Sequence, residues 1–206
     1  LARAVDPLIA EAIIKKYPEV GAERQDIRQY PGGSLAANVV GGIDWDGHGL
    51  LGLEESMDSK LAGTDGSVTY DRGSDGVVIP GSYRNRHQAV NGETIQLTLD
   101  DDIQFYVQQQ VQQARDASGA RNVSAVVLDA KSGEVLALAN YPSYVPGKRQ
   151  NLTGAQLRNR AITDTFEPGS VMKPFTVGLA LESGRITPQS LIDTGNGRLT
   201  ITGSTI

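Results

Sequence analysis

Ser170 and Lys173 stand three residues apart in the stretch Phe166-Glu167-Pro168-Gly169-Ser170-Val171-Met172-Lys173-Pro174. On a helix that spacing puts both side chains on one face, about one turn apart. An amine within reach of a hydroxyl supplies a base to a weak nucleophile, the arrangement that covalent acyl transfer needs. Ser170 is the only serine of the chain with a lysine three residues on. Gly169, just before it, lets backbone come close to a ligand. A serine at the start of an apolar helix meets free N–H groups and the positive end of the dipole. Both favour an alkoxide-like nucleophile and a tetrahedral oxyanion. Lys173, in the same first turn against an apolar helix body, is expected to be partly buried, which favours the neutral, proton-accepting amine. The plainer reading is a helix-capping serine and a solvated lysine. Glu167 reads as structural support at the helix start, and Arg160 as a loop anchor through a salt bridge.

The remaining polar clusters point elsewhere than to chemistry. Asp100-Asp101-Asp102 would be a poor metal site, because consecutive acids point in different directions, and a solvated helix start fits them better. Asp44-Trp45-Asp46-Gly47 has no later glutamate at the spacing of a calcium loop and reads as a turn. His48 and His87 are the only histidines. A Ser-His-Asp triad would have to recruit one of them from a glycine-rich loop. Asn122-Val123-Ser124 and Asn151-Leu152-Thr153 match the glycosylation tripeptide, a pattern common by chance. The absence of cysteine removes disulfides, thiol chemistry and cysteine zinc sites. A net charge of −5 with no basic run argues against a nucleic-acid partner.

These residues need elements to position them. Leu1 to Tyr17 reads as an amphipathic helix stopped by Pro18. Residues 31–52 are rich in turn signals, and residues 53–61 suit a short helix ended by Gly63. Val68 to Val90, broken by Gly73, Asp75-Gly76 and Pro80-Gly81, suggests twisted strands. Thr94 to Leu99 alternates as a strand. Asp100 can cap a helix with Ile103, Val107, Val111 and Ala114 on one face, ended at Ser118-Gly119. Val123 to Leu128 reads as a buried strand that turns at Lys131-Ser132-Gly133 and returns through Val135 to Ala139. A loop from Tyr141 to Leu152 and the polar Arg158-Asn159-Arg160 lead toward Ser170. An apolar helix then runs from Val171 to Ser183 and closes at Gly184, with Pro174 tolerable in its first turn. No run of about twenty apolar residues exists to span a membrane. The chain begins without methionine and ends in a strand-like segment, so it reads as part of a longer protein.

Several motifs, in order, resemble one family. Ser-x-x-Lys is shared by penicillin-binding proteins and serine β-lactamases. Arg158-Asn159-Arg160-Ala161 followed by Phe166-Glu167-Pro168-Gly169-Ser170 resembles the active-site approach of class B penicillin-binding proteins. Thr94-Ile95-Gln96-Leu97-Thr98-Leu99-Asp100 with Ile103-Gln104 resembles the start of their transpeptidase domain, and Val126 to Ala137 its first hairpin. Arg28-x-Tyr30-Pro31-x-Gly33, Gly49-x-x-Gly52-x-Glu54 and Arg72 resemble the non-catalytic pedestal that precedes it.

The resemblance implies an α+β chain. Residues 1–91 would be a β-rich pedestal, or dimerisation-type domain, and residues 92–206 the N-terminal portion of a transpeptidase domain, an antiparallel sheet with helices. Ser170 would be the acylated nucleophile and Lys173 its general base, acting on peptidoglycan stem peptides, with β-lactams as mimics that stall at the acyl step. The resemblance implies no metal and no organic cofactor. The implied setting is septal wall synthesis at the outer face of the bacterial cytoplasmic membrane. A membrane anchor outside this chain, a glycan polymerase and divisome proteins would be partners. The family also uses a Ser-x-Asn motif and a Lys-[Thr/Ser]-Gly strand, and neither occurs downstream of Lys173. The 206-residue chain is therefore expected to be inactive alone. Two other readings remain open. A β-lactamase or penicillin sensor shares Ser-x-x-Lys, though the pedestal-like first ninety residues argue against it, and β-lactam turnover would distinguish it. A non-catalytic divisome interaction module would show no penicillin binding even in a longer chain.

Overall fold

In the computed structural model, residues 2–23, 25–74, 76–148, 150–195 and 197–205 are described, the Ser204 side chain excepted. Leu1, Asp75 of the Asp75-Gly76 turn and Ile206 lie outside them. The chain divides into two compact units, Leu1–Asp164 and Thr165–Ile206.

The first unit opens with α1 (Pro7–Lys16), which starts later than the periodicity of Leu1 to Tyr17 suggests. Asp6 sets the start: its carboxylate accepts from the Leu8 N–H, and Pro7 fits the first turn, where its missing N–H costs nothing. No residue of α1 is buried. The glycine-rich stretch forms α2 (Ala37–Val40), then the antiparallel pair β1 (Gly42–Ile43) and β2 (Gly49–Leu51). Gly41 and Gly49 are required by close approach. A Cβ on Gly41 would lie 1.7 Å from the Leu51 carbonyl oxygen, and one on Gly49 would lie 1.9 Å from that of Glu54. The helix expected over residues 53–61 is two pieces, α3 (Gly52–Ser56) and α4 (Asp58–Leu61), hinged at Met57. Buried Glu54 accepts from Arg28 at 3.0 Å, so two of the pedestal-like motifs meet in an ion pair. β3 (Ser67–Thr69) and β4 (Arg84–His87) pair antiparallel, with isolated bridges Thr64–Val90 and Arg72–Val78 extending the twisted ribbon.

The segment Thr94 to Leu99 is not a strand, despite its alternation. It touches its neighbour through single bonds, Thr98 Oγ1 to the Val135 carbonyl (2.7 Å) and Asp100 N–H to the Leu136 carbonyl (2.9 Å). Two isolated bonds do not make a ladder. α5 (Asp101–Ser118) then begins where expected, with the Asp100 carboxylate accepting from the Ile103 N–H and Gly119 closing it at φ 68°. β5 (Val123–Leu128) and β6 (Val135–Tyr141) form an antiparallel hairpin in register from Val123–Tyr141 to Leu128–Val135. β5 is not fully buried: its burial alternates, and Val126 and Leu128 are exposed.

The core lies where Val107 and Val111 of α5 meet Ala137 and Ala139 of β6, with Ile103, Val123, Ala125, Val127 and Tyr141 around them. Gln104, 1% exposed, completes that contact. Its Nε2 donates to the Leu138 carbonyl at 3.0 Å and its Oε1 accepts from the Leu138 N–H at 2.8 Å. The side chain thereby satisfies both backbone groups of Leu138, as a neighbouring strand would. Two short helices, α6 (Gly154–Leu157) and α7 (Arg160–Thr163), finish the unit.

The second unit holds a 3₁₀ turn (Gly169–Met172), α8 (Lys173–Glu182) and the small antiparallel pair β7 (Thr200–Ile201) and β8 (Ser204–Thr205). None of its described residues is buried. Among the described residues no helix is long and apolar enough to cross a membrane.

Candidate active site

Ser170 sits inside the 3₁₀ turn, and Lys173 is the first residue of α8. Pro168 adopts helical angles, Gly169 takes φ 54°, and the Val171 N–H donates to the Pro168 carbonyl at 3.2 Å. A positive φ at this position favours glycine. The Lys173 N–H donates to the Ser170 carbonyl. In a 3₁₀ turn residues i and i+3 eclipse, so this bond stacks the two side chains on one side of the turn. Pro174 follows in the first turn of α8, where it breaks no bond.

The expected burial of Lys173 is not found. Ser170 and Lys173 are both exposed, and neither Ser170 Oγ nor Lys173 Nζ makes a side-chain hydrogen bond among the described residues. The reason lies in α8. It is apolar on every side, yet no residue of it is buried, and Phe175 and Leu179 are each 68% exposed. The helix body therefore offers Lys173 no desolvated surface. Glu167 and Gly169 are exposed as well.

Arg160 belongs to the first unit, where it donates to Asp164 at 3.0 Å while Arg158 meets the other carboxylate oxygen at 2.8 Å. The segment carrying them is held largely by amide side chains. Asn38 Nδ2 donates to the carbonyls of Gln156 (2.7 Å) and Arg158 (3.3 Å), and its Oδ1 accepts from Ser143 Oγ at 2.9 Å. Asn140 Nδ2 donates to Asn159 Oδ1 at 2.9 Å, and its Oδ1 accepts from the Ala161 N–H (2.8 Å) and Ser124 Oγ (2.9 Å). Tyr144 OH donates to the Ala37 carbonyl at 3.1 Å, and burial pushes its phenol above its ordinary value. Sequence reasoning singled out neither Asn38 nor Asn140. The available signal was an asparagine at the end of an apolar strand, in Leu138-Ala139-Asn140-Tyr141.

The other polar candidates resolve into structure. Asp44 accepts from the N–H groups of His48 (2.9 Å) and Asp46 (2.8 Å), bonds that hold its carboxyl below the ordinary 3.8 and define a turn. Asp100 caps α5, and His87 lies exposed on β4. Among the described residues no three histidine or carboxylate side chains gather in a way that would hold a metal ion.

Two protein families match the chain. The penicillin-binding protein dimerisation domain matches residues 8–97, and the penicillin-binding protein transpeptidase domain matches residues 123–204. The penicillin-binding protein PbpB of Mycolicibacterium smegmatis is 68% identical over 195 residues, which is 93% of this chain and 30% of that protein. The peptidoglycan D,D-transpeptidase FtsI of Escherichia coli is 36% identical over 195 residues, 94% of this chain and 33% of that protein. The crystal structure of penicillin-binding protein 3 from Mycobacterium tuberculosis complexed with ampicillin matches with a TM-score of 0.74 at 56% identity. That match covers 90% of this chain and 37% of the other. The chain thus spans about a third of the length of the relatives it matches.

Proposed function

We propose that this chain, which belongs to the class B penicillin-binding proteins, supplies the nucleophile turn and the pedestal of a serine-type peptidoglycan D,D-transpeptidase. The observation that carries the reading is the continuous turn from Gly169 into α8, in which the Lys173 N–H closes on the Ser170 carbonyl. It lies within the residues that match the transpeptidase domain.

In this reading Lys173 Nζ takes the proton of Ser170 Oγ as the oxygen attacks the carbonyl between two D-alanines of a stem peptide. The tetrahedral intermediate collapses to an acyl-serine, the amide bond breaks, and terminal D-alanine leaves with a proton. An amine from a neighbouring stem then attacks the ester, forms the crosslink and frees Ser170. The helix start and its dipole favour the negative charge that develops. Gly169 admits the substrate backbone, while Glu167 and Arg160 act as structural supports. β-Lactams are proposed as ligands of the same serine. Relatives crystallised with aztreonam and ampicillin support that choice.

Residues 1–91 are proposed as the pedestal and 92–206 as transpeptidase sequence; the order of the two matching families supports the arrangement, the dimerisation match running on to residue 97. The setting is the bacterial cell envelope, at the outer face of the cytoplasmic membrane. A glycan polymerase and divisome proteins are the proposed partners.

The test is covalent labelling by a fluorescent penicillin in a full-length protein containing this chain. Labelling is expected, and its loss in both Ser170→Ala and Lys173→Ala. Labelling that persists in Ser170→Ala would remove Ser170 as the nucleophile.

A further inference from the structure

We propose that Asn140 and Asn38 are positioning residues that fix the backbone of residues 156–164, the segment from which the chain runs on to Ser170. The inference rests on the reading of Ser170 as nucleophile.

The segment 156–164 has no buried residue of its own, and Ile162 is 71% exposed. Apolar packing therefore does little to hold it. Two amide side chains do so instead, at 7% and 3% exposure for Asn38 and Asn140. Asn38 holds two carbonyls at the segment's start, and Asn140 holds the Ala161 N–H in its middle. Each amide also uses its other end, on Ser143 Oγ and on Asn159 Oδ1 respectively. Buried amides satisfied at both ends fix orientation, because releasing either end leaves a desolvated polar group. Asp164, tied to Arg158 and Arg160, closes the segment, and the chain then runs on in sequence to Ser170.

The two asparagines come from different parts of the sequence. Asn38 lies on α2, within the residues that match the dimerisation domain, and Asn140 lies near the end of β6, within the match to the transpeptidase domain. The N-terminal part of the chain thus touches, by hydrogen bonds, the backbone that precedes the nucleophile. A small displacement of a reacting group is enough to slow a reaction substantially.

The hydrogen bonds predict opposite responses to one substitution. In Asn140→Asp the carboxylate still accepts from Ala161 and Ser124, and the Asn159 amide can turn over to donate to it. In Asn38→Asp a carboxylate faces two carbonyl oxygens and can donate to neither. The experiment measures penicillin acylation in a full-length protein containing this chain, with initial binding affinity and acylation rate constant determined separately. Asn140→Leu, Asn38→Leu and Asn38→Asp are expected to lower the rate constant about ten-fold or more with binding affinity little changed. Asn140→Asp is expected to acylate close to the wild-type rate. If a leucine variant fails to fold, the two aspartate variants still give the contrast. Wild-type rates in Asn38→Asp, or equal rate losses in both aspartate variants, would overturn the positioning role while leaving Ser170 as nucleophile. A wild-type protein that does not label, or a Ser170→Ala variant that does, would overturn the reading of Ser170 and this inference with it.

Discussion

The Lys173 N–H donates to the Ser170 carbonyl and closes a turn whose two side chains both face solvent. The backbone therefore sets the side of the turn on which the proposed base and nucleophile lie, but not the surroundings in which they would work. An exposed amine beside an exposed hydroxyl lacks the low-dielectric setting that strengthens charge stabilisation in active sites.

The first prediction follows from that exposure and from the lack of a Ser-x-Asn or Lys-[Thr/Ser]-Gly motif after Lys173. The 206-residue chain incubated alone with a fluorescent penicillin is expected to label far below one equivalent. Stoichiometric labelling that disappears in Ser170→Ala would show that the turn is sufficient by itself.

Two glycines with positive φ should respond differently to alanine. Gly169 has φ 54°, but an added Cβ would meet nothing within 4 Å. The left-handed backbone alone then costs roughly 1–2 kcal/mol, felt locally. Gly41 has φ 85°, and its Cβ would collide with the Leu51 carbonyl. Gly41→Ala should cost several kcal/mol, in the range reserved for strain and overpacking. Urea melts of the first unit should show a large drop in midpoint for Gly41→Ala and almost none for Gly169→Ala.

The same contrast explains what could be read from sequence. α5 was legible because its signals are local: an aspartate cap, an i, i+4 apolar series and a terminal glycine. The Ser170 turn was legible for the same reason, with Pro168 and Gly169 before it and Pro174 fitting the first helical turn. The segment Thr94 to Leu99 was not, since alternation shows only that a residue run could pair, and pairing depends on a distant edge. The exposure of Lys173 was hidden because apolar composition in α8 says nothing of what packs on it. Asn38 was invisible because its partners lie far along the chain, up to 120 residues away, and Asn140 carried only the weak signal of an asparagine ending an apolar strand.

Gln104 offers a direct measure of a buried amide. In Gln104→Met the shape is largely kept, but the Leu138 N–H and C=O lose their partner at a site that is 1% exposed. Each unsatisfied group costs about 1–3 kcal/mol, so a total loss of about 2–6 kcal/mol is expected in a urea melt. Val111→Ala, which only shortens a side chain in the same core, should lose less, about 2 kcal/mol. Equal stability of wild type and Gln104→Met would mean that water reaches β6.

The turn joining β5 and β6 should give a specific acid response. The Asp129 carboxylate accepts from the N–H groups of Ser132 (2.7 Å) and Lys131 (2.8 Å). The Ser132 bond is the larger cause that holds the carboxyl below its ordinary 3.8, followed by the Lys131 bond. A carboxyl depressed by folding binds protons more weakly in the folded state than in the unfolded one. Its contribution is therefore complete above the unfolded value and is lost as pH falls through the lower folded value. Hairpin stability should hold down to about pH 4 and decline below 3.8. In Asp129→Asn the side-chain carbonyl can still accept from both N–H groups but does not titrate, so that variant should show a weaker decline. Asp44, depressed in the same direction by its bonds to His48 and Asp46, contributes a parallel response in a separate turn. The Asp129 carboxyl shift followed by NMR from about pH 6 to about pH 2 measures the depression directly, and a midpoint at or above 3.8 would contradict it.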